Sequence, residues 1–119
     1  MAMSVVTSKN ALCTYYGTQA TWVGLATAAQ STTSTVTSEL TGGSPAYARV
    51  AVTWGTASLG AITVATAGVT INVPTTNTVT HALLCTASTG ATLYDWCSVT
   101  STTYNAQGSA VVTPTFTMT

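Results

Sequence analysis

Residues 38–54 read SELTGGSPAYARVAVTW. In the second half Val50, Val52 and Trp54 fall on one side and Ala51 and Thr53 on the other, the period-two pattern of a half-buried strand. Ahead of it stands Gly42-Gly43-Ser44-Pro45. The glycines permit positive φ and Pro45 fixes the exit, so this is a turn that delivers the chain into the strand. On either side of the turn sit Glu39 and Arg49, two of only four charged side chains in 119 residues. An intrachain ion pair that pins loop to strand is one reading, and contact of one of them with a neighbouring subunit is the other.

The other two charges are Lys9 and Asp95, and the formal net charge is zero. A typical soluble domain carries roughly 25% charged residues, so little self-repulsion keeps copies of this one apart. The composition suits a subunit packed into an assembly. Binding nucleic acid needs clustered Lys or Arg, and here there is one of each, far apart, so nucleic acid is not expected as a partner. No run approaches the roughly 20 apolar residues of a membrane span, and none at the start resembles a secretory signal. The expectation is a soluble protein assembled in the cytoplasm, folded as a single domain over 1–119, with no membrane partner.

Roughly a quarter of the chain is Thr, a β-branched residue that favours pleated surfaces. Only the start reads as helix: Thr7 or Ser8 can cap residues 8–16, Ala11, Leu12, Tyr15 and Tyr16 recur at helical spacing, Val6 can staple onto Ala11, and Gly17 ends the element. Strand candidates follow at ATWVGLATA, RVAVTW, AITVATAGVTINVP, TVTHALLCTA, TLYDWCSVT and SAVVTPTFTMT. The polar stretch AQSTTSTVTSE is a connection or a weak edge strand. Within residues 61–74 the apolar positions switch from even (Ile62, Val64) to odd (Val69, Ile71, Val73), so a bulge or bend is expected around Ala67 and Gly68. STGA has the length of a hairpin turn between its two neighbours. In the last segment Pro114, Phe116 and Met118 share one face, Thr113, Thr115 and Thr117 the other, and Pro114 makes it an edge strand. The pattern predicts a mainly β fold, an antiparallel β-sandwich or small barrel with one short N-terminal helix.

Chemistry is sparse. Cys85 shares a strand face with His81, but four residues of strand separate them by about 13 Å, too far for a nucleophile and its base. His81 has no metal-ligating partner at a recognised spacing, and Gly42-Gly43 lacks the lysine of a phosphate loop. No catalytic residue, metal or cofactor is expected. The three cysteines, Cys13, Cys85 and Cys97, read as buried thiols, with a Cys85–Cys97 bridge across neighbouring strands as the alternative. The tryptophans Trp22, Trp54 and Trp96 lie in apolar strands and read as core, whereas Tyr94 and Tyr104 are the candidates for exposed aromatics that stack on a sugar.

SELTGGSPAYARVAVTW, together with the upstream SKNALCTYYGTQATWVGLATA, resembles a family of small tailed-bacteriophage proteins labelled phage tail fibre or minor tail proteins. Their pattern is a GKNALLDAL-like helix, a strand similar to ATWVGLATA, and E-[VLI]-x-G-G-S-P-A-Y-A-R before a Val- and Trp-containing strand. The chain departs from it at Cys13 and at Val50, where a lysine is common, and from about residue 60 the resemblance is compositional. It implies a non-enzymatic virion protein whose partners are copies of itself and other virion proteins, attached to the tail. Capsid decoration is the alternative, and a carbohydrate-binding module for a bacterial surface glycan is a third reading. Tyr15, Tyr16, Pro114, Phe116 and Met118 are the expected interface.

Overall fold

The computed structural model describes residues 4–65 and 68–118. Helix α1 spans Val6–Gln19, and eight strands follow: β1 Trp22–Ala26, β2 Val50–Ala51, β3 Ala61–Thr63, β4 Val69–Val73, β5 Asn77–Cys85, β6 Leu93–Tyr104, β7 Gly108–Val112 and β8 Thr115–Thr117. The architecture is mainly β with antiparallel pairing throughout and one N-terminal helix, the class expected.

Four strands form a sheet in the order β2-β1-β5-β6, while β3 pairs with β8 and β4 with β7. The two short ladders run on from one another, because β3 leads into β4 and β7 into β8. Backbone bonds from Gly55 N to Thr63 O and from Ala65 N to Thr53 O, with a bridge between Trp54 and Val64, join this ribbon to the β2 side of the sheet. The strands therefore wrap in the order β6-β5-β1-β2-ribbon, a barrel left open between β6 and β7–β8. The core between the layers holds Val23, Leu25, Leu40, Val52, Ile71 and Val73, with Val79 and Ala82 from β5.

Several elements differ from the sequence reading. The helix begins at Val6 with no side-chain cap from Thr7 or Ser8, and Val6 and Ala11 are exposed, so no staple forms. It also runs through Gly17. A Cβ there would lie 3.1 Å from Trp54 and 3.2 Å from Ile62, so this glycine serves close packing of helix on sheet rather than termination. The inward face is Cys13 and Tyr16, with Asn10 accepting the Gly60 N–H, while Leu12 and Tyr15 face outward. Because the docking surface uses small and polar groups, the apolar spacing pointed to the wrong face.

The stretch 27–38 is a connection: Gln30 is buried, with Oε1 accepting from Thr37 N at 2.8 Å and Nε2 donating to Thr37 O at 2.7 Å. Val52 is buried, with Val50 and Trp54 half-buried and Ala51 and Thr53 exposed, although the ladder with β1 covers only Val50–Ala51. The phase change does fall between β3 and β4, where Gly68 has φ 136°. Ala67 lies outside the described residues.

Candidate functional site

The Gly42–Ala46 turn has positive φ at Gly42 and Gly43 and a cis Ser44–Pro45 bond, and Tyr47 N closes it by donating to Gly42 O at 2.7 Å. The chain emerging from it delivers Tyr47 and Arg49 toward β1, while Glu39 is bridged to Ala26 at the end of that strand. The structure places Glu39 and Arg49 in contact. Arg49 Nε donates to Glu39 Oε1 at 2.7 Å and Nη2 to Oε2 at 2.9 Å, a two-point fork.

The remaining guanidinium protons go to the loop joining β5 and β6: Nη1 to Ala87 O and Thr92 Oγ1, Nη2 to Gly90 O. All five donors are used, which is what permits Arg49 to be buried. Tyr47 completes the group, its hydroxyl donating to Glu39 Oε1 at 2.7 Å and accepting from Leu25 N at 3.0 Å. The hydrogen bond with Glu39 holds the guanidinium pKa above its ordinary value, and burial raises that of the Tyr47 phenol. The arrangement ties three segments together.

The same turn reaches the end of the open seam. Gln107, between β6 and β7, accepts from Ser44 N and donates to Pro45 O. From there β6 and β7 diverge. Tyr104 crosses the gap at this end, its hydroxyl donating to Ser109 O, and Tyr16 crosses it at the far end. The Tyr16 hydroxyl donates to Asp95 Oδ2 of β6 at 2.7 Å, and its ring stacks on Phe116 of β8 with centroids 3.9 Å apart. Trp54 and Tyr94 meet Tyr16 edge-on. Between these two lacings lies a slot of about 650 Å³, walled by Val99, Thr100 and Thr102 on one side and Ala110, Val112 and Pro114 on the other.

The expected interface residues thus separate. Tyr15 is exposed, but Tyr16 is buried at the seam and unavailable to a neighbour. Phe116 is half-buried beneath it, Pro114 lies between β7 and β8, and Met118 is half-buried with its amide bonded to Gly60 O. The partnership of Tyr16 with Asp95, 79 residues away, carried no local signal.

The thiols are also unequal. Cys13, which donates to Gly60 O, and Cys85 are buried, but Cys97 is exposed; all three are free, so there is no Cys85–Cys97 bridge. Register explains it: Cys97 stands opposite Ala82 and Cys85 opposite Leu93. Burial pushes the Cys85 thiol up to about 11, and burial with Asp95 nearby raises Cys97. His81 is half-buried, its Nδ1 sharing a hydrogen bond with Thr80 and its ring edge-on to Trp96. Among the described residues no group of His, Cys, Asp and Glu has the geometry to hold a metal ion, and no helix is long and apolar enough to cross a membrane.

A family model described as Podophage GP4 fiber I protein gp80 matches residues 8–118. The chain belongs to that family. The match extends the phage resemblance over the second half of the chain, and the gp80 family is of the phage tail fibre type. No curated protein and no solved structure matches this gp80-family chain.

Proposed function

We propose that this gp80-family protein is a non-enzymatic structural subunit of a tailed-phage virion, oligomeric and attached to the particle as part of a tail fibre. Membership of the family over 8–118 carries the reading. The chemistry agrees with it: the dense polar cluster around Arg49 spends its donors on holding the fold together. The surface favours association. Two of the four charged residues neutralise each other, and Leu12, Tyr15, Leu59 and Val111 are exposed, with Leu59 at 81%. The proposed partners are further copies of the chain and other virion proteins, with assembly in the host cytoplasm.

The test is twofold: the mass of the purified protein in solution by light scattering, and its presence in purified particles by mass spectrometry. An oligomer that co-purifies with tails is expected. A stable monomer absent from particles overturns the reading, and co-purification with emptied heads instead moves the protein to capsid decoration.

A further inference from the structure

The open seam is a second feature of the barrel, independent of the Arg49 cluster. β6 pairs only with β5, β7 only with β4 and β8 only with β3, so among the described residues two strand edges face each other across the slot without a ladder between them. Ordinary barrels close such edges, and exposed edges are templates for strand addition. Tyr16 and Tyr104 hold the rims at both ends, so the opening is a built feature of fixed length. The stretch of β6 between them, Trp96 to Thr103, spans roughly 25 Å at strand rise.

We propose that this slot receives an extended segment of another virion polypeptide, which enters as a strand between β6 and β7–β8 and closes the barrel. This rests on the virion reading above and names the kind of partner. Two facing rows of backbone groups are met best by another backbone, and an inserted strand can pair on both sides at once. The walls set its side chains. Val99, Ala110 and Val112 are apolar, Thr100 and Thr102 are small, and Asp95, the one charged lining residue, is already held by Tyr16. The occupant is therefore an uncharged segment with small or β-branched side chains.

It comes from a different chain. Every described strand of this one is already in a ladder, and the long 27–38 connection is fastened by Gln30 and by Leu93 N donating to Ser34 O. A second copy could supply one of its described strands only by breaking a ladder.

Cys97 lines the slot and is exposed, which makes it a native probe, with buried Cys13 and Cys85 as internal controls. N-ethylmaleimide labelling of the purified protein and of purified particles is compared by mass spectrometry. We expect Cys97 to react in the free protein and at least about tenfold more slowly in particles. A photoreactive benzoylphenylalanine replacing Thr100, an exposed wall position, should then cross-link in particles to an extended segment of a different virion protein. Equal Cys97 rates in the two samples, or cross-links only to further copies of this chain, overturn the inference and leave the virion reading standing. Absence of the protein from particles overturns both.

Discussion

Arg49 and Glu39 meet through two hydrogen bonds of 2.7 and 2.9 Å, the arginine side chain 3% exposed and the glutamate 21%. Each makes the other tolerable in a neutral protein. Removing one partner of a buried pair costs about 3–5 kcal/mol, because the remaining charge is left uncompensated. Arg49→Ala should fall in that range by urea unfolding, more than Glu39→Ala, since it also frees the Ala87 and Gly90 carbonyls. The double variant should cost clearly less than the sum. Additive losses in the cycle show that the contact contributes no coupling and that neither residue depends on the other.

Gly24 on β1 lies under this cluster. A Cβ there would stand 2.6 Å from the Tyr47 hydroxyl, 3.2 Å from Glu39 Oε1 and 3.3 Å from Arg49 Cγ. Gly24→Ala should therefore destabilise by about 1–3 kcal/mol, as overpacking does. The closest clash is with an oxygen that phenylalanine lacks. Measured in a Tyr47→Phe background, the cost of Gly24→Ala should shrink, and an undiminished cost points to strain elsewhere in β1.

The cysteines give a mass-spectrometric prediction. Native protein treated with iodoacetamide at mildly alkaline pH should gain its first adduct at Cys97, more slowly than an open thiol because its pKa is raised, with Cys13 and Cys85 reacting only after denaturant is added. Burial keeps Cys85 protonated, its pKa pushed up to about 11. Rapid uptake at Cys85, or a loss of two daltons that marks a bridge, contradicts the structure.

What was legible in the chain follows from how local each signal is. Alternation in RVAVTW and the phase change between Ile62 and Val69 reported burial directly, because strand faces repeat every two residues. The β5–β6 hairpin was also readable, since turn and strands are contiguous. The helix face was not. Its docking depends on Gly17, Cys13 and Asn10 fitting around Gly60 and Trp54, and small residues leave no hydrophobic stripe. Tyr16 was lost for the same reason, one of two adjacent tyrosines distinguished only by what lies 79 and 100 residues downstream. The open seam depends on which edges fail to pair, a property of the closed chain that no single segment encodes.

Tyr16 and Tyr47 together predict how the fold fails in base. Burial raises both phenols well above the ordinary value of 10.0, with Asp95 adding to the effect at Tyr16 and Glu39 at Tyr47. The native state then holds these protons more tightly than the unfolded chain does. Their contribution is fully present below about pH 10 and is lost as pH rises beyond it, where the unfolded chain ionises and the native one does not. Urea midpoints should thus be flat around neutrality, begin to fall above about pH 8.5 as the unfolded thiols of Cys85 and Cys97 ionise, and fall steeply above about pH 10 as the phenols follow. Tyr16→Phe separates the two sites. It gives up a hydrogen bond to a charged acceptor, about 1.5–3 kcal/mol at neutral pH, and removes one titrating phenol, so its alkaline slope should be shallower than that of the parent. A variant with the parent's slope assigns the alkaline loss to other raised groups, among them Tyr47 and the Cys85 and Cys97 thiols, and leaves Tyr16 as a packing residue at the seam.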